Sequence, residues 1–416
     1  MLRRCLLLAC TASLLVGSTF AATAQPPAKT YTLHNGWKVT PAGELHEIAQ
    51  MPIGVALSPD RKQFAFACAG YGAHTLTLIS AQTGKIQQVL PVDSAWNGVA
   101  WSPDGATLYL SGGGQPKIHV FTKHESGQFA PSTPIAIPGL FHEQKKGLDQ
   151  SYLSGLVVSP DGSTLYAGNF ATDAIYAISL PDGAIKTQRK LDTNAHPYCL
   201  RLSPDGTSLY VTQGALASVS VLSLTDLSTL KTIDTDKHPN DMVFAPDGRL
   251  FVSCANSDCV DVIDPETALL RERIRMTLTT FRAPAGANPQ GLALSPNGKQ
   301  LYVANSDNNN VAVVDVSVPQ RSSVLGFIPT GWYPTSIAAS PDGKRLFLGT
   351  GKGMGVGPNS PKNFPKEKVR KNTKYVYAPG LFKGYIGVLS TPNPVQLKQY
   401  TQQVMANSPY RDSIVD

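Results

Sequence analysis

One tetrapeptide recurs seven times along the chain, and its spacing constrains the fold more than any other feature. Ser-Pro-Asp-Gly or a near variant places prolines at Pro59, Pro103, Pro160, Pro204, Pro246, Pro296 and Pro341, at intervals of 44, 57, 44, 42, 50 and 45 residues. A period in the forties punctuated by turn residues is that of a propeller blade, four antiparallel strands whose faces are buried only by neighbouring blades. The two longest intervals hold insertions, around Phe121 to Gln150 and from Met276 to Asn288. Seven copies predict an all-β, seven-bladed β-propeller over 44–391.

The order inside each repeat has a physical reading. A loop ending in Pro leads into an apolar strand such as Gly291 to Ser295, and Pro with Asp-Gly then makes a tight turn. A second strand follows (Leu301 to Ala304), then a polar turn (Asn305 to Asn309), a third strand (Val311 to Asp315) and a fourth that carries the chain onward. Blades cover one another on both faces, so these strands read as near-continuous apolar runs. Composition agrees: Gly 36 and Pro 32 of 416 residues, with charged residues at 16%, is poor material for a helical bundle. Outside the amino terminus no apolar run is long enough to span a bilayer, so an integral membrane protein is not expected.

The last repeat supplies three strands, near Thr335 to Ser340, Leu346 to Gly349 and Gly384 to Ser390. Glu44 to Ala49 stands just where a fourth would be needed, and is predicted to pair into the last blade and close the ring, hiding edges that would otherwise be exposed. Pro394 to Asn407 reads as a short C-terminal helix within the 392–416 helix and tail.

Residues 1–24 have the layout of a signal peptide: Arg3 and Arg4, an apolar stretch from Cys5 to Phe20, and Ala22-Thr23-Ala24. A lipid-attachment reading at Cys10 leaves too short an apolar stretch before it. Cleavage removes Arg3 and Arg4, takes the formal charge from +7 to +5, leaves 25–43 as an N-terminal extension, and makes the mature protein periplasmic or secreted. Such a compartment permits disulfides. Cys254 and Cys259 flank a polar turn between two β-like runs and form the candidate bridge, the alternative being two packed thiols. Cysteine spacing gives no zinc signature.

Tyr210-Val211-Thr212-Gln213 and Tyr302-Val303-Ala304-Asn305 resemble the YVTN repeat of seven-bladed β-propellers, a resemblance that covers the mature chain. Gly36 to Gly43, Gly326 to Thr335, Gly351 to Pro361 and Asn407 to Arg411 resemble the propeller half of exported proteins that join such a propeller to an alkaline-phosphatase-superfamily phosphoesterase domain. That likeness implies a separate phosphoesterase or other exported protein as partner. The phosphoesterase nucleophile and metal-ligand positions have no counterpart in this sequence, so phosphatase activity is not expected of it.

Aligning the repeats by their prolines gathers candidate ligand-binding residues on the face opposite the Ser-Pro-Asp-Gly turns. Trp96, His196, His238, Asn288, Trp332 and Tyr333 fall around the central opening, where a small ligand could bind. His196 and His238, 42 residues apart, begin a metal site only if further ligands join them, His74 being a distant third; no metal or cofactor is assigned. Arg201 and Asp241 break two otherwise small or apolar columns of the inner strands and read first as an interblade bridge, second as a polar anchor in the channel. Lys362, Lys366, Lys368, Arg370, Lys371 and Lys374, followed by Tyr375 and Tyr377, form a basic loop able to contact single-stranded nucleic acid or another anion, though no nucleic-acid module accompanies it.

Hydrolytic motifs are thin. There is no Gly-x-Ser-x-Gly elbow and no His-Glu-x-x-His helix, and the glycines from Gly351 to Gly357 lack a Gly-Lys-Ser/Thr ending. Noncatalytic binding or scaffolding by an exported propeller is therefore the first expectation. A lactonase-like hydrolase is the alternative, because seven-bladed relatives of the YVTN group include lactone hydrolases.

Overall fold

The computed structural model describes residues 29–137, 151–278, 286–356 and 377–409. The expected signal peptide and the basic loop with Lys362, Lys366, Lys368, Arg370, Lys371 and Lys374 lie outside the described residues.

Seven four-stranded antiparallel sheets form the blades of a β-propeller. The inner strands are Pro52–Leu57, Val99–Trp101, Leu153–Val158, Pro197–Leu202, Pro239–Phe244, Pro289–Leu294 and Pro334–Ala339. Second and third strands such as Thr164–Asn169 and Ala174–Ser179 are buried almost throughout, as their apolar runs require, whereas fourth strands such as Ile185–Lys190 alternate toward solvent. The outermost strands carry most of the wet surface, and inner strands such as Pro52–Leu57 and Pro197–Leu202 are half-buried along the channel.

Each Ser-Pro-Asp-Gly turn is tied by its own side chains. In blade 2 the Ser102 hydroxyl donates to Asp104 at 2.5 Å and accepts from Thr107 N at 2.8 Å, while Gly105 takes φ +70°. Blade 1 makes the same turn with Arg61 at φ +60° in place of glycine. Between inner strands the approach is closer still. A Cβ on Gly54 would lie 2.1 Å from Asn97 O, and one on Gly98 would lie 2.1 Å from Ser154 O. That contact explains the glycines recurring five residues before the turn prolines, and it makes Cys199, Asp241 and Ser336 in the same column informative.

Closure follows the expectation. Glu44–Ile48 pairs antiparallel with Gly384–Ser390 as the fourth strand of blade 7. Across the seam, Thr335 and Ser336 hydroxyls both donate to Pro52 O, at 2.8 and 2.6 Å. The helix Pro394–Asn407 starts on a capping box between Asn393 and Gln396. It packs on the outer strand of blade 6, Ser323–Pro329, where a Cβ on Gly326 would lie 2.4 Å from Thr401 Oγ1 and Phe327 N donates to that oxygen. The extension ahead of Glu44 contributes a small hairpin, Tyr31–Thr32 with Lys38–Val39, whose Leu33, Trp37 and Val39 are buried against blades 5 and 6 and the helix.

Candidate functional site

Five of the seven loops leading into the blades share one backbone device. Met51, His196, His238, Asn288 and Tyr333, each immediately before the inner-strand proline, have φ of 53, 50, 62, 52 and 67°. Such left-handed conformations cost non-glycine residues about 1–3 kcal/mol and persist where the surroundings over-determine them. Here they do. The carbonyls of the five accept from Ala69, Gly214, Ala255, Ser306 and Gly351 N, just after each blade's second strand. On the other side of the peptide, His196 N donates to Asp173, Asn288 N to Asp258 and Tyr333 N to Asn309, each at 2.9–3.0 Å. The rim side chains thus stand on fixed backbone.

On blades 5 to 7 they join a polar arc. His238 Nδ1 lies 2.9 Å from Asn240 Oδ1, Asn240 Nδ2 donates to Gln290 Oε1 at 3.0 Å, and Gln290 Nε2 donates to Asn288 Oδ1 at 2.9 Å. Asn288 Nδ2 then donates to Asp307 Oδ2 at 3.0 Å and reaches Tyr333 OH at 3.4 Å. Lys352 Nζ sits 3.6 Å from the centre of the Tyr333 ring and 5.6 Å from that of Trp332. Burial pushes the Lys352 ammonium below the usual lysine range, against the pull of Asp307 in the opposite direction. Among the described residues His238 Nε2 has no hydrogen-bond partner, and it faces Gly214, where even a Cβ would lie 4.0 Å away.

Blades 2 to 4 build an aromatic arc. Trp96 meets Tyr152, Phe170 and Tyr198 edge to face at 4.5, 5.3 and 5.2 Å, and Phe170 stacks on His196 at 4.5 Å. Trp332 takes a different place, packed against His34 of the N-terminal hairpin and Phe382. The expected mouth residues therefore split: Trp96 and His196 are brought together by Phe170, His238, Asn288 and Tyr333 by the amides between them, while Trp332, next to Tyr333 in the chain, shares Lys352 with it.

Deeper in the channel the cavity is about 60 Å³, room for water but not for an organic ligand. Arg201 Nη2 bridges to Asp241 Oδ1 at 2.9 Å on the wall of this cavity. A larger cavity, about 680 Å³ at the opposite face between blades 4 and 5, has its two arginines already paired, Arg249 with Asp247 and Arg271 with Asp264, and Lys231 held by the Pro265 and Glu266 carbonyls.

Other candidate residues stand as follows. His74 is held at both nitrogens by backbone, Gly70 O and Ala95 N, which leaves none for a metal. Among the described residues no cluster of three ligating side chains includes His196 or His238. Cys254 and Cys259 are directly opposite each other in blade 5 as two buried, unbridged thiols. Sequence reasoning missed Asn240, Gln290, Asp307, Lys352, Tyr152, Phe170 and Tyr198. Strand periodicity could have found three of them, because Tyr198, Asn240 and Gln290 lie two residues after His196, His238 and Asn288 and so share their side of the strand.

Two family models match the chain: "Lactonase, 7-bladed beta-propeller" over residues 98–225 and "SMP-30/Gluconolactonase/LRE-like region" over 208–346. The chain is a seven-bladed β-propeller. Among solved structures, this propeller is similar to the Pseudomonas aeruginosa periplasmic gluconolactonase (19% identity, 73% of this chain and 96% of that one, TM-score 0.56). It is also similar to a putative 6-phosphogluconolactonase from Bacteroides uniformis (21% identity, 74% and 96%, TM-score 0.57). At these identities the likeness is one of fold. A human NHL repeat-containing protein 2 is 22% identical over 237 residues, 55% of this chain but only 30% of that protein. Both family models being of lactonase type, they overturn the expectation of a noncatalytic binding or scaffold propeller in favour of the lactonase-like alternative.

Proposed function

We propose that this propeller is a lactonase-like hydrolase whose reaction takes place at the mouth formed by the aromatic and polar arcs. The match of two lactonase-type models to successive stretches of the chain carries the reading. The mouth supplies what lactone hydrolysis needs. Aromatic faces at Trp96, Tyr152 and Phe170 cover the apolar side of a ring, and the amides of Asn288 and Gln290 suit its oxygens.

His238 Nε2 is the proton acceptor. A water gives a proton to Nε2 as its oxygen bonds to the lactone carbonyl carbon, and the carbonyl electrons collect on oxygen, where the Lys352 ammonium offsets the charge. As the carbonyl re-forms, the ring C–O bond breaks and the departing alkoxide takes the proton from Nε2. One water is consumed and one hydroxy acid is released. The expected exported location fits an enzyme that meets lactones outside the cytoplasm.

The test is pH-stat titration with a panel of five- and six-membered aldonolactones. Acid release above the spontaneous rate, reduced 100-fold or more in His238→Gln while the melting curve is unchanged, is the expected result. Failure to exceed the spontaneous rate on the whole panel, or full activity in His238→Gln, would sink the reading.

A further inference from the structure

The chain of hydrogen bonds from His238 to Asp307 has a direction, and that direction is imposed from one end. A carboxylate only accepts, so Asn288 must turn Nδ2 toward Asp307, and the same Nδ2 reaches Tyr333 OH. Asn288 Oδ1 is then left for Gln290, which must present Nε2 to it. Gln290 Oε1 in turn takes Asn240 Nδ2, which leaves Asn240 Oδ1 facing His238 Nδ1. An acceptor there requires that Nδ1 carry the proton. Reversing the chain would set Asn288 Oδ1 against a carboxylate oxygen at 3.0 Å, acceptor against acceptor. Water cannot relieve the middle: Asn240 is 4% exposed, and an unpaired buried amide end costs about 1–3 kcal/mol. The links reverse together or not at all.

We propose that Asp307 is a positioning residue that sets the tautomer of His238 through Asn288, Gln290 and Asn240, across two blades, so that Nδ1 is protonated and Nε2 is the open acceptor at the mouth. In many hydrolases a carboxylate fixes a histidine in one hydrogen bond; here three amides intervene. The catalytic meaning of the tautomer rests on the lactonase reading, but the tautomer itself does not.

The experiment therefore needs no substrate. Protein labelled with ¹⁵N-histidine is examined by long-range ¹H–¹⁵N correlation at alkaline pH, where imidazoles are neutral, with His238→Gln to assign the signals. Wild-type His238 is expected to show a protonated Nδ1 and an unprotonated Nε2. Asp307→Asn, at an exposed position, replaces a pure acceptor with an amide that can face either way, and Gln290→Met cuts the chain. Each should raise the Nε2–H form several-fold. A wild-type spectrum dominated by Nε2–H, or an unchanged spectrum in Asp307→Asn, overturns the proposal; if Gln290→Met fails to fold, Asp307→Asn alone decides. Loss of lactone hydrolysis with the tautomer pattern intact would count against the proposed function and leave this inference standing.

Discussion

Arg201 reaches from blade 4 to Asp241 on blade 5 with Nη2 2.9 Å from Oδ1, and the same carboxylate accepts from Leu292 N of blade 6 through Oδ2 at 3.0 Å. Asp241 also takes Met242 N at 2.9 Å and the Cys199 thiol at 3.4 Å, so one side chain fastens three inner strands. Asp241→Ala should lower unfolding stability by about 2–3 kcal/mol, since it leaves backbone donors and a guanidinium without their acceptor. Asp241→Asn should cost less, keeping one acceptor. Urea unfolding of the two variants checks the order, and equal midpoints would remove the fastening role.

The amino-terminal strand is the second target. Deleting residues 25–50 removes the outer strand of blade 7 and unseats Leu33, Trp37 and Val39 from their core. The melting temperature is expected to fall by ~10 °C or more, several kcal/mol for a domain of this size. Calorimetry of the truncated chain decides it; an unaltered melt would contradict closure by this strand.

Acid should loosen the turn face first. Hydroxyl donors from Ser58, Ser102, Ser203 and Ser340 hold Asp60, Asp104, Asp205 and Asp342 below the usual carboxylate range, and Ser159 with Ser163 lowers Asp161 to about 2. Folded values below unfolded ones mean the stabilisation is complete above the unfolded value near 3.8 and is lost as pH falls toward about 2. Thermal melts should therefore change little from pH 7 to 5 and drop steadily from pH 4 to 2. Replacing Asp104 and Asp161 by Asn should flatten that drop.

Lys352 predicts the alkaline side of the activity profile. Its depressed proton affinity means that the charge offered to a developing oxyanion disappears at a lower pH than an ordinary lysine would lose it. Lys352→Arg should extend activity to higher pH, whereas Asp307→Asn, by removing a neighbour that favours the ammonium, should pull the alkaline limb lower. Initial rates on whichever lactone is turned over, measured from pH 7 to 10, test both directions.

Much of the ring was legible because its signals are local. The Ser-Pro-Asp-Gly turn is closed by side chains within five residues, so counting its copies counted the blades, and the spare strand at Glu44 was found by noticing that the last repeat lacked a fourth. The mouth was only half legible. His238, Asn288 and Tyr333 announce themselves by preceding a proline, but Asn240 and Gln290 look like ordinary strand residues until their neighbours across the blade gap are known. Asp307 and Lys352 lie on loops after second strands, each 19 residues beyond the rim residue it meets, Asn288 and Tyr333, so the shared spacing was a signal in the repeat, but two such different side chains at one repeat position do not announce themselves as equivalent. The first functional expectation failed for a related reason: catalytic elbows and metal helices are contiguous motifs, whereas this candidate site takes one or two residues from each of several blades.

The pairing of Glu44–Ile48 with Gly384–Ser390 carries a consequence for biosynthesis. The first blade strand to leave the ribosome is the last to find its place, waiting for more than 300 residues of intervening chain. Until then the growing product is an open arc with two raw flanks, unable to complete cooperative folding before translation ends. Such a chain keeps both seam edges unpaired until its last blade has been made.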